Sequence, residues 1–181
     1  RATTWSNGTI ENNIINSNKI YGIWVDGWDT TVRRSSNPMV RNNTILNTGR
    51  GIFTAVPIAV ESYSRPSIVD NRIIGYTEDG IYFADWCQVT VEDTLIDAQG
   101  GNYGVVGSVP RTVKLINCTI KNTAILDVLG GTSYFVVTNT TFNQSKVDFF
   151  DSVSNLTVHW FLHTYVNDTH GNPVPGATVH V

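Results

Sequence analysis

Carboxylates and aromatic side chains recur at matched positions in three segments of the chain, a pattern that could serve carbohydrate chemistry. When Ile23, Ile58 and Ile81 are aligned, an aromatic residue stands five positions later in each segment: Trp28, Tyr63 and Trp86. Three positions after the isoleucine stand Asp26 and Glu61, with Asp85 displaced by one. One position after it stand Trp24, Ala59 and Tyr82. Aromatic faces suit the apolar faces of sugar rings, and carboxylates bond hydroxyls or act as acid and base.

Two interpretations of these residues are open. In the first, carbohydrate contacts Trp24, Trp28, Tyr63, Tyr82 and Trp86, and the candidate catalytic groups are Asp26, Glu61 and Asp85. In the second, the aromatic residues only pack a loop against the body of the domain. The alignment also requires an insertion near Val56, because Ile23 and Ile58 are 35 residues apart.

The composition favours an all-β domain and argues against a nucleic-acid or membrane partner. Charged residues make up 15% of the chain and the net charge is -3, which gives no basic footprint for phosphate or anionic lipid. Abundant Asn and β-branched residues favour turns and strands over helices. No apolar run approaches the ~20 residues of a membrane helix, so we expect no membrane insertion.

The elements that would position these side chains come from an internal repeat. Six large apolar residues can be aligned at spacings of 22 to 30 residues: Ile15, Ile45, Ile73, Ile96, Ile120 and Phe142. An aliphatic residue stands five positions earlier in every case: Ile10, Val40, Ile68, Val91, Leu115 and Val137. An Asn or Asp stands three positions earlier: Asn12, Asn42, Asp70, Asp93, Asn117 and Asn139. We call this last set the Asx column.

The repeat predicts stacked coils of short strands. Segments such as Val89-Thr90-Val91 alternate with period two, as half-buried strands do. An Asx residue tolerates the left-handed conformation of a sharp bend, and stacked amides can bond up a buried ladder. A second marker follows most coils, in which glycine precedes an inward apolar residue: Gly22-Ile23, Gly51-Ile52, Gly80-Ile81 and Gly104-Val105.

These columns resemble the right-handed parallel β-helix repeat proteins, a broad group that includes pectate lyases, polysaccharide epimerases and many surface proteins. The resemblance implies an all-β fold of about six to seven coils over residues 1–161. It implies an extracellular or cell-surface domain, which we expect to be non-enzymatic and to display a face for polysaccharide or protein contact. The alternatives are a polysaccharide lyase, epimerase or hydrolase and a spacer without ligand. A lyase needs a cation near the substrate carboxylate, for which Arg33, Arg34 and Arg65 are candidates.

The C-terminal segment, residues 162–181, departs from the repeat. Its sequence from Val166 to Val181 contains a Pro-Val-Pro-Gly-Ala run and is similar to the opening of carboxypeptidase-regulatory or Ig-like modules. We expect either a truncated β-sandwich module or a cap on the open end of the solenoid. Because the chain begins at Arg1, we expect a piece of a longer exported protein, capable of end-to-end or side-by-side self-association.

The remaining reactive residues point to no cofactor. Cys87 and Cys118 are expected to be small buried or edge thiols without a disulfide between them. His159 and His163 lack a third metal ligand, and calcium near Asp26, Asp29 and Glu61 is possible but marked by no motif. Seven N-x-Ser/Thr sequons occur, at Asn7, Asn42, Asn117, Asn139, Asn143, Asn155 and Asn167. We expect those at Asn42, Asn117 and Asn139 to be buried in the ladder and therefore unavailable to a glycan.

Overall fold

The computed structural model describes residues 2–3, 8–26, 37–55, 65–84, 87–108, 112–161 and 166–175. Short strands dominate this part of the chain, with a single 3₁₀ turn at Gln144–Lys146. The strands are β1 (Ala2–Thr3), β2 (Thr9–Glu11), β3 (Ile14–Asn16), β4 (Tyr21–Asp26), β5 (Met39–Arg41), β6 (Thr44–Leu46), β7 (Arg50–Ala55), β8 (Ser67–Val69), β9 (Arg72–Ile74), β10 (Asp79–Ala84), β11 (Gln88–Glu92), β12 (Leu95–Asp97), β13 (Tyr103–Ser108), β14 (Thr112–Ile116), β15 (Thr119–Lys121), β16 (Leu126–Gly131), β17 (Tyr134–Thr138), β18 (Val147–Phe149) and β19 (Asn155–His159).

These strands form three parallel sheets that wrap one core, so the fold is a parallel β-helix. Sheet A has the order β1-β4-β7-β10-β13-β16-β18, sheet B the order β19-β17-β14-β11-β8-β5-β2, and sheet C the order β15-β12-β9-β6-β3. Each coil contributes one strand to sheet B, then to sheet C, then to sheet A. Five coils from β2 to β16 have a strand in all three sheets. The predicted fold class is confirmed, and the number of complete coils is a little lower than the six to seven expected.

The strand register confirms the repeat. In sheet B, Ile10, Val40 and Ile68 pair in sequence, and the series continues through Val91, Leu115 and Val137. In sheet C, Ile15, Ile45, Ile73, Ile96 and Ile120 pair in the same way. All of these residues except the terminal Ile10 and Ile15 are buried. Burial of β-branched side chains in every coil supplies the main stabilisation of the fold.

The Asx column forms the bend between sheets B and C. All six members have positive φ, between 47° and 59°. Asparagine and aspartate adopt this left-handed conformation more readily than other residues with a side chain. The predicted role of the column as a turn is therefore confirmed.

The buried ladder lies one residue after the Asx column. Asn43 and Asn71 are buried, whereas Asn42, Asn117 and Asn139 are exposed. The Asn71 amide donates to the carbonyls of Val40 and Val69, both at 2.9 Å, and its Oδ1 accepts from Asn43 N at 3.0 Å and Asn43 Nδ2 at 3.1 Å. Buried coil carbonyls are thus satisfied by side-chain amides.

The expectation that the sequons at Asn42, Asn117 and Asn139 are buried is wrong. Their amides stack on the outside of the bend, where Asn42 Nδ2 donates to Asn12 Oδ1 at 2.6 Å and Asn139 Nδ2 donates to Asn117 Oδ1 at 2.9 Å. A left-handed residue followed by an inward one directs the first side chain to solvent. An Asn ladder exists, but the exposed and buried amides belong to neighbouring positions.

Smaller side chains continue the buried ladder in later coils. Thr94 Oγ1 donates to Glu92 O at 2.8 Å, and Thr140 Oγ1 donates to Thr138 O at 3.1 Å. Cys118 occupies the equivalent position, and its thiol donates to Ile116 O at 3.3 Å. Burial raises the pKa of the Cys118 thiol to about 11. Cys87 and Cys118 are both buried, and no disulfide joins them, as predicted.

Residues 166–175 make a small exposed turn. Asp168 Oδ1 accepts from His170 N at 2.8 Å and Asn172 N at 2.9 Å, and an antiparallel bridge joins Asn167 to Pro173. Residues 162–165 and 176–181 of the predicted C-terminal unit lie outside the described residues. The assignment of 162–181 to a module or a cap stays a prediction. In the part of the chain that is described, no helix is long and apolar enough to cross a membrane.

Asp151 forms hydrogen bonds that link the turn after β16 to the turn before β19, and they should make the stability of the domain sensitive to acid pH. Its carboxylate accepts hydrogen bonds from the Ser154 hydroxyl and from the backbone N–H groups of Thr132, Ser154 and Val153. These bonds hold the pKa of Asp151 well below its ordinary value. A lowered native pKa stabilises the fold above about pH 4, and this contribution is lost as the pH falls further. We expect the unfolding temperature to fall less steeply below pH 4 in Asp151→Asn than in the wild type; parallel pH profiles would contradict this role.

Candidate carbohydrate-contact face

The outward side of sheet A carries a continuous row of apolar and aromatic side chains. The register pairs Trp24 with Phe53, Phe53 with Tyr82, and Tyr82 with Val106, and Leu129 follows Val106. The inward neighbours Ile23, Ile52 and Ile81 are buried in the core. Because side chains alternate along a strand, the row Trp24, Phe53, Tyr82, Val106 and Leu129 faces outward.

The aromatic rings of this row contact one another. Phe53 and Tyr82 stack with centroids 5.3 Å apart and an interplanar angle of 12°, while Trp24 meets Phe53 edge-on at 5.9 Å. The ring centroid of Tyr21 lies 4.8 Å from that of Phe53 and 5.2 Å from that of Trp24. These four rings form a rigid platform, since each ring restricts the rotamers of its neighbours.

A second outward row stands at the beginning of the same strands, just before the glycine marker. It pairs Tyr21 with Arg50 and Asp79 with Tyr103. The alternation of side chains is interrupted at the glycine, because Tyr21 and Trp24 are three residues apart yet their rings touch. This interruption at the glycine places the charged groups of Arg50 and Asp79 beside the aromatic platform.

Arg50 is the centre of the polar part of this face. Its Nε donates to Asp79 Oδ2 at 2.5 Å, and its Nη2 lies 2.7 Å from Glu78 Oε2. The guanidinium also lies over the rings of Tyr82 and Tyr21, with Cζ 5.1 Å and 5.9 Å from their centroids. Cation–π contacts and two carboxylates therefore fix its position.

The ion pair leaves the face without a net positive charge. Burial opposes the charged form of Arg50, but its bonds to Asp79 and Glu78 outweigh this and raise the pKa of the guanidinium. Burial raises the pKa of the Asp79 carboxyl, although Arg50 acts against that rise. Because two carboxylates accompany one guanidinium, the face suits hydroxyl groups better than anions.

A groove of about 380 Å³ extends from this cluster along sheet A. Its lining is Arg50, Asp79, Tyr82, Tyr103, Val106, Ser108, Leu129 and Phe150. Val106 and Leu129 are buried, whereas Phe150 is 70% exposed. The groove is thus lined by buried apolar side chains, aromatic rings and hydroxyl, guanidinium and carboxylate groups, as expected of a site for an amphipathic ligand.

The structure brings together some of the residues predicted for this site. Trp24 and Tyr82 lie on the same face, joined through Phe53. Asp26 ends β4, and only its backbone is described, paired with Ala55. The other candidates lie outside the described residues: Trp28, Glu61, Tyr63, Asp85 and Trp86.

The alignment that placed Glu61 and Tyr63 is wrong. Ile23 and Ile81 both pair with Ile52, not with Ile58. The coil that contains Ile52 places Phe53 beside Trp24 and Ala55 beside Asp26. The insertion therefore follows β7 and does not interrupt the strand.

Sequence reasoning missed Tyr21, Arg50, Phe53, Asp79 and Tyr103. The glycine marker could have found them, since each of these residues stands one position before the glycine or two positions after it. Nothing in the described residues groups three or more His, Cys, Asp or Glu side chains in a way that could hold a metal ion. The possible calcium ligands Asp29 and Glu61 lie outside those residues.

Comparison with known proteins gives a match at the level of a family. A family model described as a right handed beta helix region matches residues 6–146. No curated protein and no solved structure matches the chain significantly.

Proposed function

This chain belongs to the right-handed β-helix family, and on that premise we propose that it binds polysaccharide, without catalysis, through the outward face of sheet A. The observation that carries the proposal is the platform of Tyr21, Trp24, Phe53 and Tyr82 beside the fixed Arg50. Sugar rings present apolar faces to aromatic side chains and hydroxyl groups to polar ones. On the sheet A face, the aromatic platform and the polar groups around Arg50 lie next to each other.

The ligand that fits best is a neutral polysaccharide. The two carboxylates around Arg50 would repel an acidic chain, whereas they can accept hydrogen bonds from sugar hydroxyls. Adjacent strands of the sheet are about 4.8 Å apart, so an extended chain running across them would meet a new side chain of the outward row at every coil. A groove with one side chain of the row in each coil suits a repeating polymer.

Replacing Tyr82 by Ala should weaken polysaccharide binding about tenfold. The substitution removes the ring that stacks on Phe53 and lies under Arg50, and with it roughly 1.4 kcal/mol of contact. Affinity electrophoresis and Trp fluorescence with a panel of soluble neutral polysaccharides would measure the change. Tyr134→Ala is the matched control, because Tyr134 is a half-exposed aromatic residue on sheet B.

An assay for new reducing or unsaturated ends on the same polysaccharides separates binding from catalysis. We expect saturable binding without new ends. New ends that depend on the protein would favour the lyase, epimerase or hydrolase alternative. Equal affinity of Tyr82→Ala and the wild type for every polysaccharide bound, or no binding across the panel, would overturn the proposed face.

We also propose that the domain is extracellular and that residues 162–181 open a β-sandwich module of the carboxypeptidase-regulatory or Ig-like kind. The support is the Pro-Val-Pro-Gly-Ala run after an Asx turn at Asp168. Membership in the pectate-lyase-like group is proposed in the same way, from the repeat and from the parallel coils.

A further inference from the structure

A second groove, on sheet B, differs from the aromatic face in its chemistry. It has a volume of about 580 Å³ and runs across β8, β11 and β14. Its lining combines two cations, one carboxylate and several uncharged polar side chains: Arg65, Pro66, Ser67, Gln88, Val89, Thr90, Glu92, Thr112 and Lys114. The proposed function makes no use of this surface.

The register of sheet B fixes the relative positions of these groups. Ser67, Thr90 and Lys114 occupy one outward row across the three strands. Gln88 and Thr112 occupy the row before it, which Arg65 extends in the third coil. Arg65 and Lys114 therefore stand at opposite corners of the groove, with Cα atoms about 12 Å apart from the strand spacing and rise. Hydroxyl and amide side chains fill the space between the two cations.

Neither cation of the groove is neutralised in the described part of the chain. The ion pairs there involve Arg41, Arg50 and Lys121 but not Arg65 or Lys114, and both of these side chains are exposed. The protein as a whole carries a net charge of -3. Two cations close together that make no ion pair among the described residues, on an acidic protein, favour a specific anionic ligand over non-specific electrostatic attraction.

The surroundings favour an anionic polysaccharide over an acidic peptide. The groove lies on the face of a sheet in which β11 is paired on both sides, by β8 and β14. Backbone groups are therefore used within the sheet, and a peptide could not add as a strand there. The side chains between the cations offer hydroxyl and amide groups, which suit the hydroxyls of a sugar chain.

We propose that the sheet B groove binds an anionic polysaccharide, with Arg65 and Lys114 contacting carboxylate or sulfate groups on separate sugar units. Thr90, Thr112 and Gln88 hydrogen-bond sugar hydroxyls between them. Glu92 lies at the edge of the groove and opposes an anionic ligand, which limits the affinity. This site is independent of the aromatic face of sheet A.

The test measures the affinity of the full chain for sodium polygalacturonate, dextran sulfate and neutral dextran by isothermal titration calorimetry at low and physiological ionic strength. We expect salt-dependent binding of at least one anionic polymer and weaker or no binding of dextran. Arg65→Gln and Lys114→Gln should each weaken the binding about tenfold, since each removes a charge-assisted contact. Glu92→Gln should strengthen it several-fold, because it removes a like charge.

Two control variants show whether the binding belongs to the sheet B groove. Lys121→Gln removes a cation that already pairs with Asp97 at 3.3 Å on sheet C, and it should leave the affinity unchanged. Tyr82→Ala should also leave it unchanged, because Tyr82 belongs to sheet A. Binding of polygalacturonate, of dextran sulfate or of both supports the site and identifies the anionic group. Binding of neither, an equal loss in Lys121→Gln, or equal affinity for polyglutamate would overturn the proposal.

Discussion

Replacing Asn71 by Ala is expected to lower the free energy of unfolding by about 3–4 kcal/mol. The Asn71 amide is buried and satisfies the carbonyls of Val40 and Val69, and its Oδ1 accepts two bonds from Asn43. Alanine leaves these groups in the interior with fewer partners and no water, which costs roughly 1–3 kcal/mol for each group left unsatisfied. Urea unfolding followed by circular dichroism would measure the loss.

Two further variants test whether the buried amide itself carries this effect. Asn42→Gly changes an exposed bend residue of the preceding coil at φ 50°, a conformation that glycine tolerates, and should cost no more than about 1 kcal/mol. Asn71→Thr should recover part of the loss, because Thr94 fills the equivalent position in the next coil and bonds Glu92 O. Equal destabilisation by Asn71→Ala and Asn42→Gly would show that the bend, and not the ladder, stabilises the coil.

The coil architecture could be predicted because two of its constraints act on residue type. An inward position in the middle of a strand strongly favours apolar side chains, which is why Val40, Ile68 and Val91 align. A left-handed bend strongly favours Asn, Asp or Gly, which is why Asp70 and Asp93 align. Each constraint leaves a column in the sequence that can be recognised without knowing the fold.

The buried ladder could not be found in this way. Its positions need a small side chain that donates to a carbonyl two residues back, and Asn71, Thr94, Cys118 and Thr140 all meet that need. Because the requirement is a geometry of hydrogen bonding and not one residue type, the column looks irregular. The regular Asx column therefore predicts burial one residue too early, because the buried side chain is that of the next residue.

The candidate site was predicted only in part for a related reason. Residues outside the regular strands do not follow the repeat. The sequence alone therefore gives no reason to reject an alignment of Ile58, in the segment after β7, with Ile23 and Ile81. The glycine marker gives the correct register through Ile52, since it is tied to the packing of the coil. The ion pair of Arg50 and Asp79 joins coils 29 residues apart, so the only sequence signal for it is that each residue stands one position before the glycine marker.

Replacing Gly51 by Ala is expected to destabilise the domain by about 3 kcal/mol or more, because the glycine row has no space for a side chain. A Cβ at Gly51 would lie 2.3 Å from both Gly80 O and Ile73 Cγ2. One obstacle is the backbone of the next coil and the other is a fully buried side chain, so neither can move away. Thermal and urea unfolding would measure the loss.

Gly131→Ala, in β16 of the same sheet, is the matched control for Gly51→Ala. The nearest atom to its new Cβ belongs to Phe150 at 3.0 Å, and that exposed ring can rotate away. The cost should therefore stay within about 1 kcal/mol. Similar losses in the two variants would mean that strand glycines matter for backbone conformation alone. A loss confined to Gly51→Ala would show that close packing between coils is what requires the glycine, and the same packing brings Arg50 of one coil over Tyr82 of the next on the sheet A face.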